Sequence, residues 1–310
     1  MEHASQIRAA RTLNPIRLIP RRRLPRNAWG DREFCRRRFV RRQGRKPDPE
    51  GAGRLTDLFY RIKTDGSLLD PLYQFITDKE LAKLYIESTV GPGYAPETYR
   101  VLRNADEIRA FVPDRVPCVL KPTHMSGPVL FHTDPDKAID RDLLRKWLNK
   151  DHYRGTREGN YRHLRPKIIV EEFFSEDGVS VPKDYKLFCF HGVPKLIQVD
   201  SDRFGQHTRN FYDIGWNRLP MTFRYPGGPE DERPPLLDEM LRVAARLATR
   251  FSFVRVDLYA SGARVRAGEL TFCPEGVNAP IVPPAADIEL AKLFNPGHHL
   301  DARVCAEAWG

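Results

Sequence analysis

Two acidic side chains stand where packing residues belong. Between Phe251 and Phe272 the alternation of apolar and polar residues predicts two strands joined by a tight turn, and Asp257 and Glu269 fall in the strand interiors. Strand interiors disfavour Asp, and a buried carboxylate without a positive partner is costly. Side chains alternate along a strand, so Val254, Val256 and Leu258 share one face while Arg255, Asp257 and Tyr259 share the other. On the second strand Glu269 and Thr271 lie opposite Leu270 and Phe272. If both apolar faces meet one core, the two carboxylates point into the same space. Gly268 invites a bulge, which leaves the register open. Two acids on neighbouring strands suit Mg²⁺, which takes carboxylates together with substrate phosphates. They equally suit a structural network with Arg255, Arg264 or Arg266.

Other charges also break local rules. Lys121 ends the apolar run VPCVLKP before the loop PTHMSG, where a cation and backbone N–H groups could meet a phosphate. Lys79 lies in the first turn of a helix, against the macrodipole, with Asp78 and Glu80 beside it. Glu171 and Glu172 end the strand KIIVEEFF, and Asp184 and Lys186 share one face of the next. A carboxylate and a lysine so placed can frame a nucleotide, the acid on ribose hydroxyls and the lysine on a phosphate. They also fit an exposed strand face. No Ser-His-Asp or Cys-His arrangement is visible.

The elements that must carry these residues follow from period and punctuation. The chain reads as mostly helical from the end of the linker to about Val112. Within that stretch TDKELAKLYIESTVGPG is the clearest helix, with Thr77 as N-cap, Glu80 as its capping-box partner and Gly91 beyond the end. DLLRKWLNKDHY reads as one helix, and DYKLFCFHGVPKLIQVD as a hairpin turning at His191-Gly192. In PPLLDEMLRVAARLATRF, Leu237, Met240, Leu241, Ala244, Leu247 and Ala248 recur at helical spacing and predict a core-facing helix. Antiparallel hairpins mixed with helices indicate α+β rather than a doubly wound parallel sheet.

At 310 residues the chain can bury the cores of two or three lobes. It has no apolar run near the roughly 20 residues that span a bilayer, and its first residues lack the apolar stretch of a secretion signal. Five cysteines, an odd number without C-x-x-C spacing, point to reduced thiols in a cytoplasmic setting. The charge is lopsided: residues 1–54 hold 16 basic and 5 acidic side chains, net +11, against +10 for the whole chain. This Arg-rich segment, with RRQGRKPDPEGAGR as a linker, suits an anionic membrane surface, with nucleic acid as a second candidate. It also reads as a solvated extension docked loosely on the body.

In order along the chain stand a helix lysine, a strand lysine, paired acids, an Asp-x-Lys hairpin and a hairpin with two carboxylates. That order is the layout of the ATP-grasp fold. ITDKELAKLYIESTVG, PCVLKPTHMSG, KIIVEEFF, PKDYKLFCFHGVPKLIQVDSDR, RNFYDIGW and FVRVDLY…GELTF together resemble the TupA-like ATP-grasp proteins of polysaccharide biosynthesis, over roughly residues 55 to 285. The resemblance implies a nucleotide held between two α+β lobes: a mainly helical subdomain at 55–117, a central lobe at 118–198 and a C-terminal lobe with the metal site at 199–310. It implies that Lys79 and Lys121 hold ATP phosphates while the loop Thr123–Gly127, with Ser126 and Gly127, closes over them. Glu171, Glu172 and the Phe173 backbone would lie at the adenine hinge, with Asp184 facing the ribose and Lys186 a phosphate. Asp257 and Glu269 would hold Mg²⁺, and Arg255 would assist at an acyl-phosphate. Where the wider superfamily has an Asn as third metal ligand this chain has Thr271, and Asn278 is a distant substitute. The implied chemistry is ATP-dependent joining of a carboxylate to an amine, such as an amino acid. Arg203, His207 and Arg209 are candidates to recognise an acidic acceptor such as a uronic-acid glycan, with Arg203 also placed beside Lys186 and Arg255 in catalysis. His207 reads as well as an ordinary loop histidine. The rival readings are a phosphotransferase, a peptide-forming ligase, and an inactive membrane- or nucleic-acid-binding protein.

Overall fold

A computed structural model describes residues 19–51, 53–175, 177–202 and 205–309. In chain order its helices and strands are α1 (Ala28–Gln43), α2 (Leu55–Thr64), α3 (Pro71–Thr77), α4 (Lys79–Val90), β1 (Thr98–Leu102), α5 (Ala105–Ala110), β2 (Cys118–Pro122) and β3 (Leu130–His132). Then follow α6 (Arg141–Leu148), α7 (His152–Thr156), β4 (Ile168–Glu172), β5 (Asp184–Phe190), β6 (Val193–Ser201), β7 (Thr208–Tyr212) and β8 (Thr222–Phe223). The chain closes with α8 (Leu237–Ala248), β9 (Phe253–Ser261), β10 (Arg264–Thr271), β11 (Ile281–Val282), α9 (Pro284–Ala291) and α10 (Ala302–Trp309). The architecture is α+β, with every strand pairing antiparallel.

Two sheets dominate, a smaller one of order β1-β4-β2-β3 and a larger one of order β10-β9-β5-β6-β7. The larger sheet is covered on one face by α8, whose Leu237, Met240, Val243, Ala244, Leu247 and Ala248 are buried. That stripe follows the predicted spacing, except that Val243 takes the place expected of Leu241, which is only partly buried. All seven residues of β5 are buried, so even its charged positions sit inside the protein. The hairpin from β5 to β6 turns at His191 and Gly192, whose φ values of 49° and 82° give the turn hand that matches strand twist.

Several expectations are corrected. The N-cap of α4 is Asp78, not Thr77: its side chain accepts from the Glu80 and Leu81 amides, while Thr77 ends α3. The helical reading to Val112 misses β1, which joins β4 and so belongs to the smaller sheet. DLLRKWLNKDHY is two helices, because Asp151 caps a new one by accepting from Arg154 N at 2.8 Å. The boundary expected after residue 198 falls within β6, and the sheets change over between β4 and β5 instead.

The N-terminal segment is no loose extension from residue 19 onward. Residues 28–43 form a helix, and Leu24, Phe34, Cys35 and Phe39 enter the main core at 4% exposure or less. Arg157, itself buried, pins the segment by donating to Leu24 O, Pro25 O and Asp31 Oδ1 at 2.9, 2.9 and 2.6 Å. Arg45 then ties it to α2 through both oxygens of Asp57. All five cysteines are free thiols and buried.

Candidate active site

A narrow cleft of about 140 Å³ lies between the two sheets. The smaller sheet supplies Val119, Lys121, Glu171 and Glu172, followed by Phe173 and Phe174. The larger supplies Asp184, Lys186, Arg255, Asp257, Tyr259 and Glu269, while α4 adds Lys79 and the loop after β2 adds Ser126 and Gly127. All the residues expected to handle nucleotide or metal therefore converge on one space.

Strand pairing explains why. Directly paired residues of neighbouring antiparallel strands point to the same face. One row across the sheet reads Glu269–Asp257–Lys186–Gln198, and the next Arg266–Tyr259–Asp184–Asp200–Arg209. The first row depends on a bulge, because pairing passes from Ala267–Leu258 directly to Glu269–Asp257 and skips Gly268. A Cβ on Gly268 would lie 2.5 Å from Cε2 of the Tyr259 ring, so any other residue there requires that ring to shift. Without the bulge Glu269 would face Val256, and its carboxylate would leave the cleft.

The positive partners are protein groups. Arg255 grips Asp257 with two bonds, Nε–Oδ1 at 2.7 Å and Nη2–Oδ2 at 2.6 Å, and donates to Thr271 Oγ1 at 3.2 Å. Lys186 Nζ bonds Asp184 and lies 3.5 Å from Asp200 and 3.6 Å from Asp257. Burial opposes its charge, but these carboxylates outweigh burial and raise its pKa. Lys79 Nζ is 3.6 Å from Glu269 and donates to Met125 O at 2.7 Å, which fixes the loop 123–127 to α4. Burial likewise opposes ionisation of Glu269, yet Lys79 with Arg255, Lys186 and Lys121 holds its carboxyl below the usual range.

The two hinge acids have other work. Glu171 is bound by Lys121 and, at 2.8 Å, by Lys83. Burial pushes its pKa up, but the two lysines overcome this and bring it down to about 2. Glu172 is held by Arg266 at 3.3 Å, with Arg264 at 3.7 Å. Arg264 and Arg266 thus serve Glu172, and of the three arginines considered for the hairpin acids only Arg255 pairs with one of them. Lys83 escaped sequence reading, though it lies one helical turn beyond Lys79 on the same face. Asp200 escaped it too, since its pairing to Asp184 is set by the hairpin register.

Of the expected acceptor residues, His207 and Arg209 do not line this cleft. Arg209 is buried and bidentate to Asp200 at 2.5 and 3.0 Å, with Glu275 at 2.7 Å. His207 stacks on Tyr225 with centroids 3.8 Å apart and lies 3.4 Å from Asp200 Oδ1. Arg203 lies outside the described residues. Asn278 turns its amide to Gly276 O and is not among the cleft residues.

Among the described residues no group of three Asp, Glu, His or Cys side chains is arranged to hold a metal. The directly paired Asp257 and Glu269 give a two-carboxylate donor set. That fits Mg²⁺, which completes its shell with phosphate oxygens and water, and does not fit a closed protein cage. No helix among the described residues is long and apolar enough to cross a membrane.

No curated protein matches the chain. Solved structures similar to it include the D-alanine–D-alanine ligase from Bacillus anthracis complexed with ATP (14% identity, 64% of this chain and 54% of that one, TM-score 0.35). Others are the ATP-grasp ligase PsnB complexed with a phosphomimetic precursor variant, Mg and ADP (12%, 70% and 58%, 0.35) and the D-alanine–D-alanine ligase from Helicobacter pylori (15%, 77% and 69%, 0.40). The chain spans little more than half the length of the first two. These overlaps are loose, and the assignment rests on sequence: residues 60–295 match the family described as TupA-like ATPgrasp, which is most of the chain. The protein belongs to the TupA-like ATP-grasp family, and its fold is the ATP-grasp fold.

Proposed function

We propose that the protein is an ATP- and Mg²⁺-dependent carboxylate–amine ligase, joining an amino compound to a carboxylate on an acidic sugar or glycan. The observation that carries this reading is the convergence of Lys79, Lys121, Lys186 and Arg255 on one cleft that also holds the paired carboxylates Asp257 and Glu269. Val119, Phe131 and Phe173 give the same cleft an apolar wall suited to a purine. In the reaction an oxygen of the acceptor carboxylate bonds to the γ-phosphorus of ATP as the β–γ bridging bond breaks and ADP departs. The amine nitrogen then attacks the acyl carbon, phosphate leaves with the electron pair of its bond, and the nitrogen gives up a proton.

The side chains contribute mainly electrostatics. Lys79, Lys121 and Lys186 compensate the phosphate charge in a site shielded from water, where preorganised cations are most effective. Asp184 would accept from ribose hydroxyls, and Arg255 would assist at the acyl-phosphate. Asp257 and Glu269 would hold Mg²⁺, which neutralises charge on the phosphoryl group. At about 140 Å³ the cleft is smaller than the roughly 300 Å³ at which small-ligand pockets begin, so admitting ATP requires it to widen.

Thermal unfolding with ATP, with and without Mg²⁺, tests the reading through ligand linkage. A metal-dependent rise in Tm that Asp257→Asn and Glu269→Gln each abolish is expected; wild-type protein without such a rise sinks it. Release of ADP only when carboxylate and amine are both present separates ligation from transfer to a hydroxyl.

A further inference from the structure

A groove of about 410 Å³ is separated from the nucleotide cleft by loop 123–127. His124 of that loop lines the groove, Ser126 and Gly127 line the cleft, and the two spaces share no lining residue. A ligand held here is apart from the reacting groups, so the groove is a place to bind rather than to react. The N-terminal segment is built into it. Arg26 lines it, Arg162 Nη2 donates to Arg26 O at 2.9 Å, and Arg38 of α1 donates to Gly155 O at 3.1 Å.

Five cations gather around this groove: Arg26, Lys150 and Arg162 in its walls, with Arg154 and Arg38 beside them. Among the described residues only Arg26 is paired with a carboxylate, Asp151 at 3.1 Å, and the two side chains are 50% and 44% exposed. An exposed pair of this kind is worth about 1 kcal/mol or less, so Arg26 can exchange its partner at little cost. Arg157, which lies among them, is already matched by Asp31 at 2.6 Å. Like charges crowded without counter-ions repel, and an anion with several charges relieves them together.

The surroundings of the cations discriminate among such anions. A membrane is flat and takes an apolar flank, whereas this surface is concave and lined by none of the exposed large apolar side chains among the described residues. Single-stranded nucleic acid stacks its bases on open aromatic faces, and Tyr153 and Tyr161 of the groove are only 3% and 7% exposed. Neutral polar groups are present instead. Asn149 is exposed in the wall, and the half-buried His152 is kept neutral near pH 7 because burial lowers its pKa. An amide and a neutral imidazole each donate and accept, which suits hydroxyl groups, while the cations suit carboxylates.

We propose that this groove is a docking site for an acidic glycan chain, whose carboxylates meet Lys150, Arg162 and Arg26 and whose hydroxyls meet Asn149 and His152. The proposal shares with the ligase reading only the class of ligand, since docking needs neither nucleotide nor metal. It gives the N-terminal segment a part in recognition through Arg26.

The test titrates tetragalacturonate into full-length protein by isothermal calorimetry, with maltotetraose, tetra-L-glutamate and an oligothymidylate as comparison ligands. Saturable binding of tetragalacturonate is expected, at least tenfold tighter than that of any comparison ligand and weakened by added salt. Saturating Mg²⁺ with a non-hydrolysable ATP analogue should leave it unchanged. Lys150→Gln with Arg162→Gln should weaken it about tenfold or more. Because Arg162 also holds the N-terminal segment, Lys150→Glu is a second variant on an exposed side chain, and it should weaken binding too. No binding at millimolar concentration, equal binding of the peptide or the oligonucleotide, competition by the nucleotide analogue, or binding unchanged in both variants would each overturn the proposal. The rise in Tm with Mg²⁺ and ATP, measured on the same samples, reports separately whether the ligase reading stands and whether each variant is folded.

Discussion

Replacing Glu171 with Gln isolates the ion-pair cluster that positions Lys121. The carboxylate is 3% exposed and shared by Lys121 and Lys83, and the two lysines bring its pKa from an ordinary 4.5 down to about 2. A depression of that size corresponds to about 3 kcal/mol of folding stability at neutral pH. Gln keeps the shape and mimics the protonated acid, so Glu171→Gln should lose about that amount at pH 7, comparable to breaking other buried pairs. The folded pKa lies below the unfolded one, so the ionised carboxylate favours folding at every pH above 4.5. That advantage fades as pH falls from 4.5 through about 2, and wild type and variant should converge there. Urea unfolding of both proteins across a pH series measures the gap. A gap under about 1 kcal/mol at neutral pH, the value of an exposed pair, refutes the reasoning, as does a gap that does not narrow in acid.

Gly268→Val should disturb the bulge, since any Cβ there meets the Tyr259 ring; Mg²⁺–ATP stabilisation should be lost while far-UV circular dichroism is retained. An unaltered nucleotide response would show that Glu269 does not depend on the bulge. Phe39→Ala should cost about 3–5 kcal/mol, as expected of a core phenylalanine, whereas a loosely docked extension would leave urea unfolding unchanged. For the same reason deletion of residues 1–54 should unfold the protein, and deletion of residues 1–18 is the cleaner probe of membrane binding, read by sedimentation with anionic vesicles. The acid-to-amide substitutions at Asp257 and Glu269 complete the set.

The larger sheet was legible because its signals are local. Alternation placed Arg255, Asp257 and Tyr259 on one face, Gly268 marked the bulge, and His191-Gly192 marked the turn. What joined those strands was not local. The row Glu269–Asp257–Lys186–Gln198 needs a pairing between β5 and β9 across more than sixty residues, and no spacing encodes it. Glu171 read as a hinge acid because its partner Lys83 lies 88 residues away, on α4, which packs against α8 and β10 rather than within the sheet that carries Glu171. α1 was hidden by its own composition: six arginines surround Phe34, Cys35 and Phe39, so the apolar stripe is narrow and the segment resembles a solvated tail. Asp78 took the cap from Thr77 because α3 runs to Thr77 and leaves one residue between the helices.

The cations of the cleft are already provided with counter-ions: Lys121 with Glu171, Lys186 with Asp184, Arg255 with Asp257, and Lys79 with Glu269. Nucleotide binding is therefore an ion exchange, in which phosphate oxygens compete with tethered carboxylates. A tethered competitor acts at a high effective concentration, on the millimolar scale or above, so singly charged anions from solution displace it poorly. An anion that meets several of these lysines at once gains from each exchange and loses its freedom only once. On the proposed reading the cleft would disfavour phosphate and nucleoside monophosphates and favour a triphosphate, with the same carboxylates pairing its cations in the absence of nucleotide.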